Sequence, residues 1–286
     1  MVQETENPVR KKIDRDAKLV VHALLGIYAA VLVYILLGLL FRFNVSADIF
    51  FGLSFALLFF TLGQSIYELG FRRALLFLLI TGVIGFLAEV LGTNTGFPFG
   101  KYYYTNFLGE KFLGVPIVVP LVWFVIAYVC YSIASGRSGS YSSIASLTLL
   151  TAFGAVAWDF MIDPMFSSYG YWVWTGQFLP LPELDGIPLT NFVGWFVLVS
   201  LMVFVCVYII PAPTGKPTHQ LFSRKNNPDS IIAYVLLMLD GVIANYSLGN
   251  YSVIALGLFA MLAFLALSVI KSDSRSKRPE TIEVSN

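Results

Sequence analysis

The chain has 286 residues, of which 57% are hydrophobic and 12% charged, with a net charge of +1. Soluble domains carry about 25% charged residues, so a soluble fold is excluded. The near-neutral balance gives no basis for nucleic-acid binding.

Residues 1–18 form a basic tail. The apolar block that follows exceeds the roughly 7–15 residues of a signal-peptide core and lacks a small-x-small cleavage site. It is read as a retained first helix, 19–41. Further blocks follow at 47–69, 74–91, 115–134, 143–163, 189–210, 230–248 and 251–270. Each is about long enough to cross some 30 Å of hydrocarbon as a helix, and in lipid the backbone must satisfy its own hydrogen bonds. The fold class expected is all-α: a polytopic membrane bundle of about eight helices. One membrane domain, 19–270, lies between tails 1–18 and 271–286. With the N-terminus inside, all 18 Lys and Arg except Arg42, Lys101 and Lys111 fall in inside segments, as the positive-inside rule requires. The expected location is the cell membrane, with both termini cytoplasmic. Glu68, at the inner end of the second helix, is expected to pair with Arg72 or Arg73 one turn on. Cys130 and Cys206 fall inside apolar blocks and read as unpaired packing residues. His22 and His219 lie far apart, and a zinc site needs about three or four such ligands. No glycine-rich nucleotide loop is present.

Two connections, 92–114 and 165–188, are long, aromatic and rich in Gly and Pro. They are expected to fold back over the outer mouth of the bundle. They also resemble each other. Gly100-Lys-Tyr-Tyr-Tyr-Thr105 meets Gly170-Tyr-Trp-Val-Trp-Thr175 at a spacing of seventy, which also aligns Glu89 with Asp159. Farther on, Gly114-Val-Pro116 meets Gly186-Ile-Pro188, and Trp123-Phe-Val125 meets Trp195-Phe-Val197. Helices 3-4 and 5-6 thus form a parallel internal repeat, expected to be related by an axis along the membrane normal. Glu89 and Asp159 would then face one cavity at similar depth.

Ionisable groups inside a bilayer are functional candidates by default. Glu89, Asp159, Asp163, Asn191 and Asp240 are expected to converge on the outer half. Asp159 and Asp163 share a helix face, being four apart, and Pro164 favours a helix end at Asp163. Singly, each has a plainer reading. Asp163 and Asn191 suit helix caps, Asp240 an interhelical hydrogen bond, and the Tyr102–Tyr104 and Trp172–Trp174 aromatics an interfacial belt. Together they suggest a site. Burial of a carboxyl disfavours its charged form, which creates a proton donor, and aromatic faces stabilise a cation. That combination suits protonation of an apolar alkene. The Asp-x-x-x-Asp spacing also suits Mg²⁺-diphosphate binding, but Ala155 stands where Asn is expected and no Lys/Arg cluster accompanies it. Buried acids in a repeated bundle would also suit a proton-coupled transporter.

The segments Ala88–Thr105, Ala157–Pro164, Gly170–Trp172 and Gly186–Trp195 resemble the signature of a family of carotenoid-biosynthesis membrane proteins that includes the hydratases of bacterioruberin and related pathways. The likeness covers roughly residues 50–210 and implies a hydratase with no cofactor and no metal. Such an enzyme adds water to a terminal trisubstituted double bond of an acyclic carotenoid, giving a tertiary alcohol. Its partners would be the carotenoid, water, the lipid bilayer and other carotenoid-biosynthesis enzymes, with no nucleic acid. Glu89 and Asp159 are the candidate acid and base, with Asp163, Asn191 and Asp240 beside them. Asn94, Tyr102, Tyr104, Trp158, Trp172, Trp174 and Trp195 are the candidate substrate-binding residues. A carotenoid cyclase would begin from the same protonation and quench the cation internally.

Overall fold

The computed structural model describes residues 8–43, 47–136, 144–176, 179–212 and 228–269. The expected tail 271–286 and the basic residues Arg137, Lys216, Arg224 and Lys225 lie outside them.

Among the described residues, eight α-helices make up the bundle: α1 Pro8–Phe41, α2 Ala47–Leu69, α3 Phe71–Thr95, α4 Val119–Gly136, α5 Ile144–Ser168, α6 Leu189–Ile209, α7 Pro228–Leu248 and α8 Tyr251–Val269. Six contain spans long and apolar enough to cross a membrane, and shorter apolar stretches lie in α2 (Phe55–Leu69) and α4 (Val119–Ser135). Large apolar side chains stay exposed along whole helix faces: Leu79, Val83, Leu87 and Leu91 on α3, and Val193, Val197, Leu201 and Phe204 on α6. In water such faces would drive association; in lipid they are the solvent-facing side. The protein is a polytopic helical membrane protein.

The helix ends differ most from expectation in α1, α3, α4 and α5; α4 starts at Val119 rather than 115, because Val115–Pro116 is paired as a strand. α1 begins at Pro8, eleven residues before 19, because the basic tail is composed of good helix formers, and proline suits a first helical turn. α3 runs past 91 to Thr95, where Gly96 in the left-handed region (φ 82°) closes it through its N–H to the Gly92 carbonyl. α5 does not stop at Asp163. It continues through Pro164 to Ser168, so the Phe160 carbonyl loses its helical donor. Met161 to Met165 are all buried there, and packing overrides the local preference of the proline.

α5 is the hub and packs on α4, α6, α7 and α8. Glycines allow the close approach. A Cβ on Gly154 would meet the Phe264 ring at 2.7 Å, and one on Gly241 would meet Met161 Sδ at 2.7 Å. On one side, α3 packs on α4 and α6, and α6 packs on α4 and α5. On the other, α1, α2, α4 and α7 enclose a polar junction where Ser230 Oγ lies 2.8 Å from Ser132 Oγ and 3.3 Å from Gln64 Oε1. Arg73 donates to the Pro211 and Leu69 carbonyls.

The two long connections are not plain loops. They form three two-stranded antiparallel ribbons: β1 Lys101–Tyr104 with β4 Trp172–Gly176, β2 Lys111–Phe112 with β3 Val115–Pro116, and β5 Pro180–Leu181 with β6 Ile187–Pro188.

Candidate active site

The β1–β4 ribbon joins the two repeats. Its register pairs Tyr102 with Trp174, Tyr103 with Val173 and Tyr104 with Trp172. Moving each β1 residue forward and each β4 residue back by the repeat spacing of seventy returns the same set of pairs, as a two-fold relation between the halves requires. Side chains alternate across a strand, so Tyr102, Tyr104, Trp172 and Trp174 share one face while Lys101 and Tyr103 face out. The rings interlock, Tyr102 with Trp174 at 5.0 Å and Tyr104 with Trp172 at 5.9 Å between centroids. Thr105 pins the ribbon end by donating to the Gly170 carbonyl at 2.7 Å, and Lys111 Nζ donates to the Tyr104 carbonyl at 2.6 Å.

Beneath this roof lie three carboxyls. Glu89 on α3 accepts from both Tyr102 and Tyr104 hydroxyls at Oε2, the latter at 2.9 Å, and from Trp123 Nε1 at Oε1 at 3.1 Å. Asp163 on α5 accepts from Trp172 Nε1 (2.6 Å) and Trp174 Nε1 (3.2 Å) at Oδ1, and from Asn191 Nδ2 (2.6 Å) at Oδ2. The same Asn191 amide donates to Asp159 Oδ2 at 2.9 Å, which is the one hydrogen bond Asp159 accepts among the described residues. Relative exposures are 5% for Glu89, 1% for Asp159, and 2% for Asp163 and Asn191. Glu89 stands close enough to interact electrostatically with both aspartates. Burial first, and then the Glu89 carboxylate, holds the Tyr102 and Tyr104 phenols well above their ordinary range. They therefore remain O–H donors.

The helices deliver these groups for local reasons. Asn191 stands in the first turn of α6, whose start is set by the β6 strand and Pro188. Trp123 and Trp195, at matching positions of α4 and α6, meet with ring centroids 4.0 Å apart. Gly85 makes room for Trp123, since a Cβ there would lie 2.5 Å from the indole. Trp158 packs 6.2 Å from Trp195, and its buried Nε1 has no hydrogen-bond partner among the described residues.

Glu89, Asp159, Asp163, Asn191, Tyr102, Tyr104, Trp158, Trp172, Trp174 and Trp195 are thus brought together. Two expected members are not. Asn94 is exposed and donates back to the Val90 carbonyl at 2.7 Å, because it projects from the last turn of α3 away from the ribbon. Asp240 on α7 accepts from Tyr28 on α1 at 3.5 Å, on the far side of α5. The depth of Asp240 in its helix was legible, but not the face it turns. Glu89 and Asp159 keep matching positions in the repeat, but their donors do not match. Tyr102 and Tyr104 bind Glu89, but their counterparts Trp172 and Trp174 bind Asp163, one turn beyond Asp159. Trp123 was missed as a member, although its alignment with Trp195 signalled it. Phe99 was missed too; it is buried and stacks on Trp123 at 6.2 Å.

Among the described residues, no group of three or more His, Cys, Asp or Glu is arranged to hold a metal ion. Two clefts, of about 320 and 200 Å³, lie between α1 and α7, and neither is lined by a member of the carboxyl cluster.

Comparison with known proteins adds a separate line. The family described as carotenoid biosynthesis proteins matches residues 43–264. Bisanhydrobacterioruberin hydratase from Haloarcula japonica is 28% identical over 174 residues, covering 60% of this chain and 57% of that protein. The match spans little more than half of that relative's length. No solved structure matches.

Proposed function

The chain belongs to the carotenoid biosynthesis protein family, and from that premise we propose that it is a carotenoid hydratase, adding water to the terminal trisubstituted double bond of an acyclic carotenoid. The observation that carries this reading is the inequality among the three carboxyls. Glu89 and Asp163 each accept three hydrogen bonds, whereas Asp159 accepts one, from the amide it shares with Asp163. Two adjacent carboxyls in low dielectric hold one proton between them, because two neighbouring charges there repel strongly. Asp159, with the fewer donors, carries that proton.

Asp159 transfers its proton to the less substituted alkene carbon, and the π pair forms the new C–H bond. The tertiary cation left behind faces the indoles of Trp123, Trp158 and Trp195, and aromatic faces attract cations by about 0.5–2 kcal/mol each. A carboxylate has about four acceptor sites, and Glu89 uses three. The fourth accepts a proton from the water that attacks the cation. The unpartnered Trp158 N–H is available to orient that water or the product hydroxyl. Transfer of the proton from Glu89 back to Asp159 completes the cycle, so the sum is alkene plus water to tertiary alcohol. In the proposed orientation both termini are cytoplasmic and the roofed site faces outward.

The test is expression in cells that accumulate lycopene or bisanhydrobacterioruberin, followed by pigment mass analysis. Products heavier by one or two waters support hydration. Isomeric products of unchanged mass would replace it with cyclisation, and unchanged pigment would count against both.

A further inference from the structure

The carboxyl cluster is closed on every side, so an apolar chain can reach it only where something already occupies space that it can take. Phe99 is that occupant. Its ring lies between two helices at positions where neither carries a side chain. A Cβ on Gly92 of α3 would lie 2.9 Å from Phe99 Cδ2, and one on Gly194 of α6 would lie 2.8 Å from Cδ1. The two glycines therefore flank opposite edges of one ring and leave a slot one aromatic ring wide. Trp123 stacks against this ring with an interplanar angle of 23°, and Tyr102 meets it edge-on.

The slot opens onto the chemistry. Gly92 follows Glu89 by three residues, which places both on one face of α3, and its Cβ would also lie 2.8 Å from the Tyr102 hydroxyl. Gly194 follows Asn191 by the same three residues on α6. Trp195, next along, packs against the ring of Trp158, whose buried N–H has no hydrogen-bond partner among the described residues. On the other side, α3 and α6 present Leu87, Leu91, Val193 and Val197 to lipid, and Phe97 in the connecting turn is 68% exposed. Phe99 enters from that turn, which is bounded by Gly96 (φ 82°) and Gly100 (φ 125°).

We propose that the Gly92–Gly194 slot is the subsite for the reacting end of the carotenoid, entered sideways from the bilayer between α3 and α6, with Phe99 holding the place in the free protein. This rests on the hydratase reading and adds to it the place where the reacting end binds and the route by which it enters. A trisubstituted alkene terminus is flat, since its sp² carbons and their substituents share a plane, and it fits where a phenyl ring fits. A cyclised end, puckered and carrying geminal methyl groups, does not. The slot therefore selects acyclic ends over ring-bearing ones.

All five tryptophans of the chain, Trp123, Trp158, Trp172, Trp174 and Trp195, belong to this site, so quenching of their fluorescence by a polyene reports its occupancy. The protein in lipid nanodiscs is titrated with lycopene and with β-carotene. Saturable quenching by lycopene, at least tenfold stronger than by β-carotene, is expected. Phe99→Ala should bind lycopene about tenfold more tightly and narrow the gap to β-carotene. Gly194→Ala should weaken lycopene about tenfold. Equal quenching of the wild-type protein by both polyenes overturns the flat slot, and so does lycopene affinity in Phe99→Ala at or below wild type, whatever Gly194→Ala does to folding. Hydration activity together with unchanged quenching in the variants rejects the slot but keeps the hydratase. Quenching by neither polyene rejects the hydratase reading and the slot with it.

Discussion

The two halves of the bundle share a frame but differ in chemistry. In the first, α3 brings one carboxyl, Glu89, and the surrounding donors are two phenols and an indole. In the second, α5 brings two carboxyls one turn apart, and the donors are two indoles and an amide. The ribbon register and the Trp123–Trp195 contact keep the backbones nearly two-fold. Symmetry alone would give two equal carboxyls, and equal carboxyls cannot divide the labour of giving and taking a proton. Asp163 breaks the equality. It takes the roof donors that Asp159 would otherwise receive, and it leaves Asp159 with an asparagine alone.

The largest expected effect comes from removing the group that makes the halves unequal. Asp159→Asn keeps volume and the chance of a hydrogen bond to Asn191 but has no acidic proton. Conversion of the carotenoid should fall about 10²–10⁴-fold, the usual contribution of general acid catalysis, with the folded yield in detergent little changed. Glu89→Gln should differ in kind. Its amide keeps one acceptor oxygen, so either Trp123 or the Tyr102–Tyr104 pair faces an NH₂ that cannot accept, and those buried donors lose their partner at about 1–3 kcal/mol each. It should therefore lose both activity and melting temperature. If the two variants lose activity and stability alike, or if each loses only about two-fold in rate, the assignment of unequal roles fails.

A smaller effect is expected from the roof. Tyr104→Phe removes one donor from Glu89, and Trp172→Phe removes one from Asp163, each with the ring largely kept. Hydrogen bonds to charged groups contribute about 1.5–3 kcal/mol. Both variants should unfold at lower temperature and turn over roughly tenfold more slowly. The comparison sharpens if a double variant is measured. Residues in one network show a coupling energy of about 0.5–3 kcal/mol. A strictly additive pair would mean that the two halves work as separate sites beneath a common cover.

The eight helices were legible because each is a long apolar block, and a helix satisfies all of its backbone hydrogen bonds within its own segment in lipid. The aligned Gly, Pro, Trp and acidic positions made the repeat legible too. The ribbon was not: Lys101-Tyr-Tyr-Tyr104 has no alternation of polarity, and its partner strand lies seventy residues away. The distribution of donors was hidden for a related reason. Whether Trp172 reaches Asp159 or Asp163 depends on a single helical turn of offset in α5, about 5.4 Å, and on α5 running through Pro164 rather than stopping there. Hydropathy reports depth in the membrane but not the face a side chain turns, and Asp240 shows the consequence.

Asp240 gives the smallest expected effect and the cleanest check that the chemistry belongs to the repeated unit. It sits on α7, outside both halves, and accepts a 3.5 Å hydrogen bond from Tyr28 of α1. None of the described hydrogen bonds links it to the three site carboxyls or to the ribbon. Its position is that of an interhelical polar contact, and such contacts within membranes contribute about 0.6 kcal/mol on average. Asp240→Asn retains an acceptor for the Tyr28 hydroxyl, so conversion should stay within about two-fold of wild type. Tyr28→Phe removes the donor and should lower thermal stability by roughly that small amount without altering the product. A loss of conversion in Asp240→Asn as deep as that of Asp159→Asn would move the acid out of the repeat, and α1 and α7 would then have to be counted as part of the reacting site.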